Sequence, residues 1–390
     1  MAHNSNIPNI AILVDTATGW GRRVVRGILS YVHEHGPWHV WVKAADRESI
    51  HDLPPGWKGD GVIARISNPG IASKLKDSSL PVVNVSGVQI HDFLSPRVTT
   101  DTKAGARMAM QHFMDRGFKN FAYAGPVVQP VVERHLCAFE RVLTDEGFPC
   151  RTCPISLEDE TRASDEIQRE LWSWLVSLPK PVGILTWGAA IGRNIIDACL
   201  HENISVPHDV AVLGGDFDEL LCEACYPALS GIVTPAEQTG YKAAQLLHEM
   251  MQGKTVSMQP IYIPPSGVES RLSTDTVAVA DPRLVEVMDF MRKHAYEEIS
   301  VADVLKAVPM GRRVLERKFK LVFGRTPLEE IRRMRIDKAR KLLAETDLSM
   351  QEIAEACGYA TYNYLTQIFK RVTGVSPSVY RKQQRGWRDV

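Results

Sequence analysis

Two sets of side chains in this chain of 390 residues have the types and spacing that recognition chemistry uses. One is basic. Between residues 312 and 323, Arg312, Arg313, Glu316, Arg317 and Lys320 fall on one helical face, while Leu315, Phe319 and Val322 fall on the other. An arginine can meet guanine with two hydrogen bonds, a glutamate accepts from the cytosine amino group, and a lysine neutralises phosphate. The other set follows short apolar runs: Asp15, Thr16 and Trp20 after Ile10–Val14, Asn84 after Val83, and Trp187 after Thr186. Carboxylate, hydroxyl and amide groups bind vicinal hydroxyls and an indole covers the C–H side of a sugar ring, so this set suits a small sugar.

Enzyme chemistry finds less support. Gly19-Trp20-Gly21-Arg22-Arg23-Val24 follows the first apolar run, and Asp46 follows the second, in the outline of a dinucleotide fingerprint. Val24 stands where a third small residue is needed, and Trp20 and Arg22 crowd the turn, so a nicotinamide enzyme is a distant alternative. No nucleophile elbow, phosphate loop or zinc-protease helix occurs, and neither catalysis nor a cofactor is expected. The pairs Cys150/Cys153 and Cys222/Cys225 offer four thiolates, but they lie too far apart for a compact zinc module, and no metal is expected.

Lys+Arg and Asp+Glu both total 46, which read alone argues against a polyanionic partner. The balance hides a split. Residues 281–390 hold 22 Lys+Arg against 15 Asp+Glu, a net of +7, and the rest holds 24 against 31, a net of −7. Two parts of opposite sign suggest two domains with different partners, the basic one suited to a polyanion. Seven dispersed cysteines fit reduced thiols, and the opening stretch has no basic leader. No apolar stretch approaches the length of a membrane span, so a cytoplasmic protein without a membrane partner is expected.

The elements that must position these residues are of two kinds. Over residues 1–270, apolar runs at 10–14, 39–42, 61–64, 81–85, 121–124, 183–186 and 210–213 alternate with helical stretches at 24–34, 104–116, 135–146, 165–177, 191–202 and 238–251. That is an α/β pattern of buried parallel strands covered by helices, long enough for two lobes whose ligand binds at the strand ends. Residues 271–281, polar and aperiodic, read as a linker ending where Asp281 caps and Pro282 opens a helix. Residues 282–390 are all-α, with helix-turn-helix units at about 300–323 and 349–372 joined by a basic helix from Pro327 to Leu343. The units repeat internally: Phe319-Lys320 matches Phe369-Lys370, and Gly324 to Pro327 matches Gly374 to Pro377. Recognition helices on one connecting helix can sit about one DNA turn, roughly 34 Å, apart.

Three resemblances follow from these residues. The segment VPHDVAVLGGDFDE, followed by PALSGIVTP and a helix near Gly240, resembles the effector-binding core of the lactose-repressor type, a bilobal periplasmic-binding-protein fold spanning most of residues 8–270. That resemblance implies ligand contacts at Asp216 and near Arg134, with Trp187-Gly188 replacing the family's usual Asn-Asp pair. Residues 349–381, SMQEIAEACGYATYNYLTQIFKRVTGVSPSVYR, resemble the signature of the AraC/XylS class. By motif position this implies base contacts from Arg313, Glu316 and Arg317 in the first unit, and from Tyr362, Asn363, Thr366 and Gln367 in the second. Gln367 stands where the family usually has Arg. Arg332, Arg333, Lys370 and Arg371 suit phosphates. The whole chain, in this order and through PPSGVESRLSTD, resembles the xylose operon regulators of bacteria. It implies a homodimer in which a pentose, D-xylose, closes the cleft, so that the paired tails span an operator of double-stranded DNA and recruit RNA polymerase as an activator. A transport-type binding protein would share the sensor fold but has no use for the DNA-reading tail.

Overall fold

The computed structural model describes residues 7–42, 53, 56–76, 80–126, 130–153, 164–279 and 281–385. The chain opens with β1 (Asn9–Leu13), α1 (Gly19–His35), β2 (His39–Val42), β3 (Gly61–Ala64), α2 (Pro69–Lys76), β4 (Val82–Asn84) and β5 (Val98–Thr100). It continues through α3 (Thr102–Met114), β6 (Asn120–Ala124), α4 (Pro130–Asp145), β7 (Cys150–Thr152), α5 (Ser164–Ser177), β8 (Val182–Thr186), α6 (Ala189–His201), β9 (Val210–Gly214), α7 (Glu219–Glu223) and β10 (Ser230–Val233). Then come α8 (Ala236–Met251), β11 (Ile261–Ile263), β12 (Gly267–Glu269) and a short 3-10 turn at Leu272–Thr274. The tail is helical: α9 (Pro282–His294), α10 (Val301–Ala307), α11 (Arg312–Phe323), α12 (Pro327–Glu345), α13 (Met350–Ala356), α14 (Tyr362–Thr373) and α15 (Pro377–Arg385).

The strands form two large sheets and one two-stranded sheet. One has the order β2-β1-β3-β4 and is parallel throughout. The other has the order β12-β10-β9-β8-β6-β7, parallel except for β12, which runs antiparallel to β10. Strands β1, β3, β8 and β9 are apolar and almost wholly buried, as strands covered by helices on both faces must be. The chain crosses between lobes three times: at β5, between β10 and α8, and at β11. Strands β5 and β11 pair in parallel at the crossing, forming a two-stranded hinge.

Helix α8 returns to the first lobe and lies against α1. The approach is close enough that a Cβ on Gly27 would stand 1.9 Å from the Glu237 carbonyl oxygen, and one on Gly240 would stand 2.0 Å from that of Val24. Only glycine allows two helices to touch backbone to backbone in this way.

Residues 271–279 are packed against both the sensor and the tail. The Ser273 hydroxyl accepts from the Ser230 amide at 2.8 Å and donates to the Val212 carbonyl at 2.6 Å. Thr274 meets Ser230 at 2.7 Å and His112 at 2.9 Å, and the Ala278 amide donates to the Arg116 carbonyl at 2.7 Å. The composition reads as solvated, but these short hydroxyls satisfy polar groups at a sheet edge that would otherwise be buried unpaired. Val277 completes the step by entering the first core of the tail.

The tail repeats one design. Ser300 with Asp303, and Ser349 with Glu352, form capping boxes that start α10 and α13. Gly324 and Gly374, both left-handed, end α11 and α14. Helix α12 starts with a Thr326–Glu329 capping box and Pro327 in its first turn. It serves both units, since Ile331 and Met334 join the first core and Ile336, Ala339 and Leu343 the second. Gly27→Ala is expected to destabilise the sensor by about 1–3 kcal/mol in urea unfolding. Gly267→Ala, whose Cβ would meet nothing within 4 Å, serves as the control and should stay within about 0.5 kcal/mol of the parent.

Candidate functional site

A cavity of about 380 Å³ opens between the lobes, within the size range of small-molecule sites. The first lobe contributes Asp15 beyond β1, Trp20 in the opening turn of α1, and Arg65 directly after β3. The second contributes His135 from α4, Trp187 after β8, and Asp216 after β9. The hinge adds Thr99, Thr100 and Thr234.

The charges are set for a polar ligand. Arg65 lies between Asp15 and Asp216; burial lowers its pKa while both carboxylates hold the charged form. Its guanidinium sits over the Trp20 ring, 4.8 Å from the ring centre. Burial raises the pKa of Asp216, opposed by the Ala189 amide at the start of α6, which donates to Oδ1 at 3.2 Å, and by Arg23 and Arg65. The Thr234 hydroxyl is buried in the wall and has no hydrogen-bond partner among the described residues.

His135 presents a defined donor. Its Nδ1 lies 2.9 Å from the Tyr123 hydroxyl, and Tyr123 is fully buried. That hydroxyl would lose its acceptor if Nδ1 carried the proton, so Tyr123 donates and the ring keeps its hydrogen on Nε2. Burial lowers the pKa of His135 to about 4, so the ring is neutral at cellular pH. Trp187 meets it edge-on at 5.4 Å.

The lobes also touch each other directly. Asp218 Oδ2 accepts from the Gly19 amide at 2.9 Å, at the N-terminus of α1, and lies 3.8 Å from Arg22. The Gly19–Val24 string is thereby explained as packing. Gly19 leaves room for Asp218, and a Cβ on Gly21 would fall 1.8 Å from the Asp15 carbonyl oxygen. Asp46, the acidic partner in that fingerprint, lies outside the described residues.

Of the residues singled out in the sequence, Asp15, Trp20, Trp187 and Asp216 line the cavity, while Thr16, Asn84 and Arg134 do not. Asn84 is turned inward: its Oδ1 accepts from the Ile66 and Ser86 amides at 3.1 and 2.7 Å, and so closes the turn after β4. Thr16 gives its carbonyl to Arg22. Arg134 is exposed, near Gly87 at the rim, and its neighbour His135 takes the inward position. Sequence reasoning missed Arg65, His135, Thr234 and Asp218. The signals were a charged residue directly after a wholly apolar strand, and a second aspartate in GGDFDE.

In the tail, Arg312, Arg313, Arg317 and Lys320 are exposed along α11, and Glu316 pairs with Arg312 at 3.0 Å. Tyr362, Asn363, Gln367, Lys370 and Arg371 are exposed along α14, with Thr366 half-buried. Arg332 is half-buried on α12. Arg333 is engaged elsewhere: it pairs with Asp115 at 2.9 Å, Glu330 at 2.8 Å and Asp337 at 2.8 Å, and so is not a free phosphate ligand in this arrangement. Among the described residues no helix is long and apolar enough to cross a membrane, and no group of three or more His, Cys, Asp or Glu could hold a metal.

A two-lobed effector cleft joined to a pair of helix-turn-helix units defines a ligand-responsive, DNA-binding transcription regulator and not an enzyme. A XylR N-terminal domain matches residues 9–101, a periplasmic binding protein-like domain residues 110–274, and a helix-turn-helix domain residues 304–383. The xylose operon regulatory protein of Escherichia coli K12 is 32% identical over 380 residues, covering 95% of this chain and 96% of its own. That of Haemophilus influenzae is 32% identical over 381 residues, covering 95% and 97%. A solved structure described as the xylose-binding transcription activator xylR matches with a TM-score of 0.64 at 31% identity, over 97% of this chain and 98% of that one. The chain belongs to the family of xylose operon regulatory proteins.

The neutral histidines give the sensor a pH signature. An unfolded ring takes up its proton near pH 6.5, whereas folded His135 resists down to about 4, and His112 is also held well below 6.5 by burial beside Arg116. The unfolded state therefore binds more protons in that window, and stability falls as pH drops through it. Thermal unfolding should show a loss of up to about 3 kcal/mol from His135 between pH 6.5 and 4. His135→Gln should flatten that part of the profile.

Proposed function

We propose that the protein is a cytoplasmic activator of pentose-catabolic genes that binds D-xylose in the interlobe cleft. Acting as a homodimer, it would place its paired tails on an operator and recruit RNA polymerase. The observation that carries this reading is the cavity itself, with two indoles, the flanked Arg65 and the Asp216 carboxylate, built into one chain with two exposed basic helix faces. The carboxylates and the His135 Nε2–H provide acceptors and a donor for adjacent hydroxyls, and Trp20 and Trp187 cover apolar ring faces. The description of the solved relative as xylose-binding supports a pentose for this cleft. Binding can shift the lobes only by the sugar's differential affinity for the closed arrangement, for which Asp218 and Gly19 already supply one contact. On the DNA, Arg313, Glu316 and Arg317 with Asn363, Thr366 and Gln367 read base edges, and Arg332, Lys370 and Arg371 hold phosphates.

Calorimetric titration with D-xylose should give saturable heat. Asp216→Asn should weaken binding at least tenfold, about 1.4 kcal/mol, and Tyr123→Phe, which frees the His135 tautomer, should weaken it several-fold. A flat trace for every pentose and hexose would remove the sugar from the account. In gel shifts with the full chain, Arg313→Ala and Arg317→Ala should each reduce specific binding by about 1–3 kcal/mol, while Arg332→Ala should weaken all sequences alike and lower the salt slope. Unchanged binding in both arginine variants would rule out α11 as a reading helix.

A further inference from the structure

Helix α3 connects the cleft to the DNA reader. Its first residue, Thr102, and its Gly105 line the cavity. Asp101, which caps it by accepting from the Ala104 amide at 2.9 Å, donates its own amide to the Ile263 carbonyl of hinge strand β11 at 2.8 Å. The helix is 13 residues long, about 20 Å, and ends on Asp115. There the Asp115 carboxylate, only 4% exposed, meets Arg325 at 2.8 Å and Arg333 at 2.9 Å, both from the reader. Glu330 on α12, fully buried, pairs with the same two arginines. Burial alone would raise the pKa of Glu330, but Arg333 and Arg325 outweigh it and the net shift is downward.

This cluster is not part of the helix-turn-helix design. In the register that aligns Gly324 with Gly374, Arg325 corresponds to Val375 and Glu330 to Tyr380. The second unit folds with those two residues instead, Tyr380 packing edge-on against Phe369 at 5.4 Å. Charges that the fold of the unit does not require are present only in the copy that faces the sensor. Two further contacts follow the same polarity: Glu269 of β12 with Lys341 at 2.5 Å, and Asp275 with Arg292 at 3.2 Å.

We propose that Asp115, Arg325, Glu330 and Arg333 form a coupling joint, through which hinge movement carried by α3 sets the posture of the first helix-turn-helix unit. This rests on the reading of the cleft as the effector site. The residues of the joint lie outside the cavity, and Asp115 and Arg325 lie off the exposed faces of α11 and α14. Their loss should therefore uncouple the two sites while leaving the sugar site intact.

The test uses the full chain, D-xylose, and a duplex selected by the parent protein from a random-sequence pool. In the parent, saturating D-xylose should change the Kd for this duplex at least fivefold. Asp115→Asn, close in size to the original, and Arg325→Val, which copies the second unit's own residue, should bind D-xylose within twofold of the parent by calorimetry. In both, the sugar should change the duplex Kd less than twofold. A parental sugar response in both variants, each with a parental circular dichroism spectrum and a single melting transition, would overturn the joint. If D-xylose gives no heat with the parent, it is the effector reading that fails. The sugar-free arm then decides the joint: both variants must differ from the parent in duplex Kd by at least threefold, and equal values overturn it.

Discussion

A carboxylate buried at the end of a helix has to be paired, and the pairing of Asp115 with Arg325 and Arg333 fixes where the reader sits on the sensor. The opposite charges of the two halves serve this contact as well as DNA. Asp115, Glu269 and Asp275 on the sensor face Arg325, Arg333, Lys341 and Arg292 on the reader. The packed segment 271–279 seals the same junction, with the Ser273 and Thr274 hydroxyls tied to the second sheet and Val277 in the reader core. Sensor and reader are thus joined by a built interface rather than by a tether.

At the other end of α3 the constraint is geometric. Three crossings join the lobes, with β5 and β11 paired at the junction, and the cleft between them gathers charge from both. Arg65 from the first lobe is compensated partly by Asp216 from the second, and the Gly19 amide of the first by Asp218 of the second. The glycines that imitate a nucleotide fingerprint are there because two backbones and a carboxylate converge on the first turn of α1.

Much of the fold was legible from periodicity. Strands such as β3 and β9 are apolar throughout and buried on both faces, and in the reader the capping residues and left-handed glycines mark the helix ends almost to the residue. The short strands β5, β10 and β12 were not legible, because their Thr, Ser, Gly and Glu residues serve hinge and edge hydrogen bonds rather than a core. In the cleft, the strand-end rule found Asp15, Trp20 and Trp187, and the family resemblance found Asp216, but neither could say which way a side chain turns. Asn84 follows the rule in position yet turns inward to hold its own loop, while His135 comes from a helix and has no strand-end signal at all. Arg333 has the composition of a phosphate ligand and is occupied by a sensor aspartate far away in sequence, which no local pattern reveals.

The central claim is that the cleft and the DNA reader share one free energy. Linkage requires that if the sugar alters DNA affinity by some factor, DNA must alter sugar affinity by the same factor. The most direct measurement is the calorimetric Kd for D-xylose on the free protein and on the protein saturated with a DNA duplex that it has selected. The account predicts two constants that differ at least fivefold, matching the factor by which the sugar changes the duplex Kd. Identical constants would contradict it.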